Sequence, residues 1–238
     1  MRRVKLAFAN LQVDFMDRDL ALRRIEEWAE KSTFPVQVVY GPEGCGKTAW
    51  LRQSVELLRE RGFDVIYINP VEKEFTVEIG VQSLRDKLIS LVREATSQLS
   101  WGGVVWSVID VAREAISLGR ERIAIIVDDV FQAIGIDRAA IYVKGMLGIL
   151  EHPPRPYERV VTIAATSEGM SLREIGRHEW ANLRPMWNMG KEGFRQLYEQ
   201  IPGGKPDFEE AWRLTGETQG SWKCYTRLIG IRRPSLTT

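Results

Sequence analysis

The sequence predicts an α/β fold in three layers, a five-stranded parallel sheet between two layers of helices, followed by a small all-helical segment. Three observations predict it. Short Val- and Ile-rich runs alternate with stretches of helical periodicity as far as residue 187, the pattern of a parallel sheet covered on both faces. The first of these runs stops at a glycine-rich loop, and beyond residue 188 only helical patterns remain. The expected division is an α/β domain over 1–187 and a helical lid subdomain over 188–238.

Taken in order, residues 17–31 read as an amphipathic helix, with Ala21, Leu22, Ile25, Trp28 and Ala29 at helical spacing and Asp17 as its N-cap. The run 36–40, between Pro35 and Gly41, is a buried strand. A helix over 46–61 turns Leu51, Val55 and Leu58 inward and closes at Gly62. Residues 64–69 form the next strand. The stretch 76–119 is expected to be mostly helical, broken by a turn at 100–106 that carries Trp101 and Trp106. A third strand spans 122–130, a helix over 137–151 ends before His152-Pro153-Pro154, a fourth strand covers 159–167, and 183–187 is a short fifth. Helices over 190–200, 206–216 and 220–230 complete the chain, in which no internal repeat occurs.

Composition narrows the function classes. With 33 basic and 32 acidic residues the net charge is +1, which gives no electrostatic footprint for nucleic acid. The basic spots, Arg2, Arg3 and Lys5 and then Arg232 and Arg233, lie near the two ends. Two cysteines, Cys45 and Cys224, are too few for a disulfide framework, so a reducing, cytoplasmic setting is expected. No apolar run approaches the roughly 18 residues of a membrane span. The apolar stretch Leu6-Ala7-Phe8-Ala9 is too short for a signal peptide, and Asn10 and Asp14 follow it. His152 and His178 are far apart, which argues against structural zinc.

The loop GPEGCGKT, residues 41–48, matches G-x-x-x-x-G-K-[ST] at every fixed position, in a strand–loop–helix context. The chemistry requires these residue types. Gly41, Gly44 and Gly46 let backbone N–H groups point at phosphate oxygens. Lys47 brings a compact positive charge to the β- and γ-phosphates, and Thr48 offers a hydroxyl to Mg²⁺. The helix N-terminus adds positive potential. A chance glycine loop with a solvated lysine is the bland alternative, and the flanking strand and helix disfavour it.

Asp128 and Asp129 follow five apolar residues, Ile123 to Val127. A strand buried on both faces releases its carboxylates at the sheet's C-terminal edge, where the loop also lies. Asp128 then suits the Mg²⁺-organising role, and Asp129 suits that of a base orienting the attacking water. A pair of helix-capping acids is the alternative. Thr166 and Ser167 end the next strand in the same way. Their hydroxyls face the γ-phosphate if that strand lies between the other two; otherwise they begin a turn.

These residues resemble the archaeal ATPase family of AAA+/STAND-type P-loop proteins. FMDRDLALRRI at 15–25 is similar to the family's opening F-x-x-R-[ED]-x-x-L segment, and GPEGCGKT to its Walker A. IIVDDVFQ resembles its Walker B, IAATSEG its sensor-1 strand, and WRLTGETQGSW the turn of its helical lid. The resemblance implies a three-layer P-loop NTPase fold of the AAA+ type, with the sensor strand between the Walker A and Walker B strands and a C-terminal lid. It implies an adenine nucleotide, ATP or ADP, with Mg²⁺. It also implies a nucleotide site built from Gly41, Pro42, Glu43, Gly44, Cys45, Gly46, Lys47, Thr48 and Ala49, with Arg18 of the opening segment near the base. Lys47, Asp128, Asp129 and Thr166 are the catalytic candidates, and Thr48 and Asp128 the metal candidates.

Two departures stand out. Asp129 occupies a position where the family usually has Glu, and the lid turn lacks Asn-Pro, leaving Lys223 or Arg227 as substitutes for its usual arginine. Many relatives continue into a winged-helix domain. Arg173 and Arg177 follow the sensor strand where a neighbouring subunit would receive an arginine, which makes a homo-oligomer an expectation. A protein or DNA partner is left open. Trp180, Trp187, Trp212 and Trp222 are read as packing of the C-terminal third. Cys45, beside Lys47 and a helix N-terminus, is expected to be a reactive thiol shielded by nucleotide, with Cys224 ordinary. The functional expectation is an ATPase coupling nucleotide state to lid motion or assembly, and the alternative is a slow nucleotide switch or scaffold. A small-molecule kinase lacks a recognisable acceptor site, and no Asn-Lys-x-Asp segment supports a GTPase.

Overall fold

The computed structural model describes residues 3–8, 11–98, 101–167, 169–202 and 205–215. The expected helix at 220–230, with Trp222, Lys223, Cys224 and Arg227, lies outside the described residues, as do Arg2, Arg232 and Arg233.

The chain opens with a short antiparallel hairpin, β1 (Lys5–Phe8) and β2 (Leu11–Asp14), and then forms α1 (Asp19–Lys31), β3 (Val36–Tyr40) and α2 (Lys47–Glu60). Next come β4 (Asp64–Asn69), β5 (Glu74–Glu78), α3 (Gln82–Gln98), α4 (Gly102–Ser117), β6 (Arg122–Asp128), α5 (Val130–Ile134) and α6 (Ala139–Glu151). β7 (Arg159–Thr166), α7 (Met170–Gly176), β8 (Ala181–Pro185), α8 (Lys191–Glu199) and α9 (Phe208–Thr215) complete it. The main sheet has the order β5-β4-β6-β7-β3-β8. Strands β4, β6, β7, β3 and β8 are the five expected parallel strands, and β7 lies between β6 and β3. A sixth strand, β5, adds antiparallel to the β4 edge.

Period-2 alternation on continuous apolar strands feeds two cores, because successive side chains leave opposite faces. Ile123, Ile125 and Val127 of β6 join α3, α4, α6 and α7, whereas Ala124 and Ile126 of the same strand join α1 and α2. The sheet is thus the middle of three layers. A third cluster unites Val13 of the hairpin with Phe194 and Leu197 of α8 and Ala211 of α9. The Gln200 side chain bonds both the N–H and the carbonyl of Asp14, so the C-terminal helices lean on the N-terminal hairpin.

Three local expectations are corrected. Asp17 does not cap α1: it and Arg18 both have left-handed backbones, Arg18 occupies the N-cap position, and no side chain caps the helix. The break between α3 and α4 closes by Gly102, so Trp106 sits inside α4, in edge contact with buried Tyr142 (centroids 5.2 Å apart). Burial of Val104, Val105 and Val108 outweighs the low helix propensity of Gly102-Gly103. Residues 76–78, expected to open the mostly helical stretch 76–119, belong instead to β5 (Glu74–Glu78).

The two classes of site differ in stability. Ile66→Ala, at a fully buried position of β4, is expected to cost about 2–5 kcal/mol, and Leu20→Ala, at an 80% exposed position, to stay within about 0.5 kcal/mol. Urea unfolding of both variants measures the difference.

Candidate active site

The site is assembled at the C-terminal edge of the parallel strands. Register sets it: Asp128 of β6 is opposite Ala165 of β7, and Thr166 of β7 is opposite Tyr40 of β3, so Asp128, Thr166 and the start of the glycine loop share one edge. Thr166 is fully buried there.

Between Tyr40 and α2 the chain folds into a compact loop closed by Cys45 N–H donating to the Pro42 carbonyl at 3.3 Å. Gly44 and Gly46 have φ of 78° and 98°, values that admit a residue without a side chain. Gly41 is needed for a different reason: a Cβ there would collide with the Met186 carbonyl. Pro42, Glu43 and Gly44 are exposed, and Ala49 packs against the α1–α2 core.

Lys47 is 5% exposed, with Nζ donating to the carbonyls of Gly41 (2.8 Å) and Pro42 (2.9 Å) inside the loop. Cys45 is fully buried, its Sγ 3.8 Å from Lys47 Nζ. The expectation of an accessible, reactive thiol is therefore overturned, because the side chain points under the loop into the α1–α2 core.

Asp128 is fully buried. Its Oδ2 accepts from Thr48 Oγ1 at 2.7 Å and from Asn69 Nδ2 at 3.0 Å, while its Oδ1 has no partner. Burial pushes its carboxyl up to about 7, and the neighbouring Asp129 adds to the rise; the Thr48 hydrogen bond, the Lys47 charge and Asn69 oppose it. Asn69 escaped the sequence reading, although its position as the polar end of an apolar strand was a usable signal.

Asp129 has a left-handed backbone, φ 49°, a conformation that Asp tolerates better than most residues. Its Oδ1 accepts from Ser167 N (3.1 Å) and Ser167 Oγ (3.0 Å), so β6 and β7 are tied together at the edge. Arg18 Nη2 donates to the Cys45 carbonyl (2.6 Å) and to the Trp187 carbonyl (2.8 Å), which places the opening segment against the loop. Beyond β7, Arg173 lies on α7 and Arg177 at its C-cap, Arg177 in a surface pair with Glu174. The tryptophans divide. Trp212 makes an edge contact with Phe194 and Trp180 stacks on His178, but Trp187 is 66% exposed and so is not packing as expected.

The family described as an ATPase domain predominantly from Archaea matches residues 15–219. The chain belongs to this family. No curated protein matches the sequence. Among solved structures, this ATPase domain is similar in fold to a DNA replication initiation factor (TM-score 0.52, 19% identity, 88% of this chain and 60% of that one). It is likewise similar to AMPPCP-bound DnaA from Aquifex aeolicus (TM-score 0.53, 17% identity, 90% and 62%). A third similar fold is the FIGL-1 AAA domain in complex with ADP (TM-score 0.54, 15% identity, 90% and 71%). The chain spans about three fifths of the length of the two replication proteins. The archaeal-type ATPase domain thus has an AAA+-like fold, and among its described residues no helix is long and apolar enough to cross a membrane.

Cys45 is expected to resist alkylation in the folded protein and to react at the rate of an ordinary thiol in denaturant. Arg18→Ala, which frees the Cys45 carbonyl, is expected to speed native-state labelling at Cys45 several-fold, as read by mass spectrometry of the labelled peptide.

Proposed function

We propose that this ATPase domain binds ATP with Mg²⁺ in the 41–48 loop, hydrolyses it, and couples nucleotide state to the C-terminal helices as a lid, or to self-assembly. The observation that carries the reading is the Thr48–Asp128 contact at 2.7 Å beside an unpartnered, buried Asp128 Oδ1 at the mouth of the loop. Hydroxyl and carboxylate oxygens are hard donors, and Mg²⁺ takes only one or two from a protein, filling the rest with phosphate oxygens and water. The site therefore fits that ion without a carboxylate cluster, and no group of three metal-binding side chains occurs among the described residues. Bound Mg²⁺ would neutralise charge on the β- and γ-phosphate oxygens.

The chain's own residues supply the rest. Loop N–H groups and the α2 N-terminus receive the phosphates, and Lys47 exchanges the Gly41 and Pro42 carbonyls for phosphate oxygens. Thr48 and Asp128 hold the cation, with Asn69 fixing the Asp128 carboxylate. Asp129 orients the attacking water, and Thr166 faces the γ-phosphate from the strand between. Arg18 and the segment at 186–188 border the base. ATP is supported by the nucleotides named for the similar folds, AMPPCP in DnaA and ADP in the FIGL-1 domain. One of those structures is DnaA with single-stranded DNA, which makes DNA, beside protein partners and further copies of this chain, a ligand class to test. The cysteine count is consistent with a cytoplasmic setting.

A slow nucleotide switch is the second reading, and the Asp129–Ser167 contacts favour it: a short carboxylate arm, with one oxygen already accepting two hydrogen bonds, has little reach toward a water. Steady-state ATPase assays separate the two readings. Asp129→Asn is expected to keep ATP affinity and lower turnover by about 10²-fold or more if Asp129 is the base. Tight ATP binding with parent turnover no faster than this variant establishes the switch.

Lys47→Ala is expected to weaken ATP binding by about tenfold or more in titration calorimetry. Because Lys47 is buried rather than exposed, it should also destabilise the nucleotide-free protein by about 1–3 kcal/mol. Asp128→Asn is expected to abolish the increment that Mg²⁺ adds to thermal stabilisation by ATP, since it removes the anionic oxygen. An undiminished Mg²⁺ increment in thermal-shift measurements would remove Asp128 from the metal role.

A further inference from the structure

Strand order sets the direction in which a nucleotide can lie along this edge. Asp128 and its Thr48 contact mark the β6 side, Thr166 ends β7, the glycine loop follows β3, and β8 is the next strand beyond β3. Three strand spacings, about 14 Å, separate β6 from β8. A nucleotide whose terminal phosphates sit between the loop and Asp128 therefore extends its nucleoside end toward β8 and the residues that follow it.

Those residues are pinned to the loop through their backbone. Met186 N–H donates to the Tyr40 carbonyl at 2.7 Å. The Trp187 carbonyl accepts from Arg18 Nη2 at 2.8 Å, and the same nitrogen binds the Cys45 carbonyl of the loop at 2.6 Å. On either side the chain is anchored by a buried methionine: Met186 packs in the α1–α2 core, and Met189 packs with the hairpin and the C-terminal helices. Between these anchors the Trp187 indole is left in solvent, and no other described tryptophan is exposed.

An exposed indole on a fixed backbone is suited to receive a flat partner. The main chain is already ordered, so binding does not have to order it. A tryptophan also settles only two side-chain torsions while offering a large, rigid contact area. The loop N–H groups and Lys47 are matched to anionic oxygens, and none of them is suited to a heterocycle. A nucleobase needs a different surface, and every base presents a π-face on which an aromatic side chain can stack.

We propose that Trp187 is the stacking platform for the nucleotide base, a residue that sets affinity at the nucleoside end and takes no part in holding phosphate or metal. The proposal rests on the ATP reading of the 41–48 loop and adds to it the group that holds the base. Because stacking requires only a ring face, phenylalanine can replace the indole, whereas alanine cannot.

AMPPCP with Mg²⁺ is the probe, since it is not hydrolysed during a titration. In calorimetry, Trp187→Ala is expected to weaken its binding about tenfold, and Trp187→Phe about threefold or less. AMPPCP is expected to quench indole emission in the parent, and by less in Trp187→Phe. Without nucleotide, both variants are expected to unfold at the parent temperature, because the side chain is exposed. At saturating AMPPCP, Trp187→Ala is expected to keep the full increment that Mg²⁺ adds to thermal stability, which a variant with a damaged loop would lose. Parent-like affinity in Trp187→Ala, equal losses in the Ala and Phe variants, an undiminished quench in Trp187→Phe, or loss of the Mg²⁺ increment would each overturn the stacking role. A parent protein that binds no AMPPCP would instead overturn the loop assignment, and the stacking role with it.

Discussion

A carboxylate at the end of an apolar strand is withdrawn from water and must find donors, a cation or a proton. Asp128 is in this position, and much of the site is arranged around it. Thr48 and Asn69 both donate to Oδ2, so two elements, α2 and β4, are fixed to β6 through a single oxygen. The opposite oxygen is left without a partner, and burial draws the carboxyl up to about 7. The register of three strands supports this: with Asp128 opposite Ala165 and Thr166 opposite Tyr40, the acid and the glycine loop arrive at the same edge. A slip of one residue in β6 would turn Asp128 to the other face, toward α3 and α4, and strand Val127 among the wrong neighbours.

The parts of this arrangement that were legible in the sequence are those with a strong local signal. Continuous apolar runs identify β3, β4, β6 and β7, since only strands covered on both faces have such composition. The glycine loop declares itself through spacing, and Asp128 through its place after Ile123 to Val127. The hairpin β1–β2 and the edge strand β5 were not legible. Each is only four or five residues long, and Glu74-Phe75-Thr76-Val77-Glu78 alternates beside a long helical signal. Side-chain direction inside the loop was also hidden. Spacing places Cys45 and Lys47 in the loop, but the tertiary packing under it decides that the thiol enters the core and the ammonium turns to two backbone carbonyls.

The loop is also tied to the C-terminal part of the chain through its backbone. The Met186 carbonyl crowds Gly41, and Met186 N–H donates to the Tyr40 carbonyl at 2.7 Å, so the residues after β8 lie directly on the start of the loop. Arg18 spans the Cys45 and Trp187 carbonyls from the other side. Asp17, the neighbour of Arg18, has its carboxylate close to Gly193 at the start of α8, where a Cβ would come within 2.5 Å of it. Two consecutive left-handed residues, Asp17 and Arg18, are thus held by contacts on both sides, a strain that persists only where the surroundings over-determine it.

These contacts give the proposed coupling a physical route. Under the proposed reading, a phosphate entering the loop would compete for Lys47 and release the Gly41 and Pro42 carbonyls, which belong to the loop that Met186 and Arg18 contact. Residues 186–188 lead through Met189 directly into α8, which is packed through Phe194 and Leu197 on the N-terminal hairpin. On that proposal the C-terminal helices and the hairpin would respond together, as a unit joined to the sheet through Arg18 and the end of β8. Differential contact of one segment with two states of the loop is the minimum that allows nucleotide to shift a conformational equilibrium. In the proposed coupling the carbonyl contacts of Arg18 would supply it, because they depend on the path of the loop backbone rather than on any loop side chain.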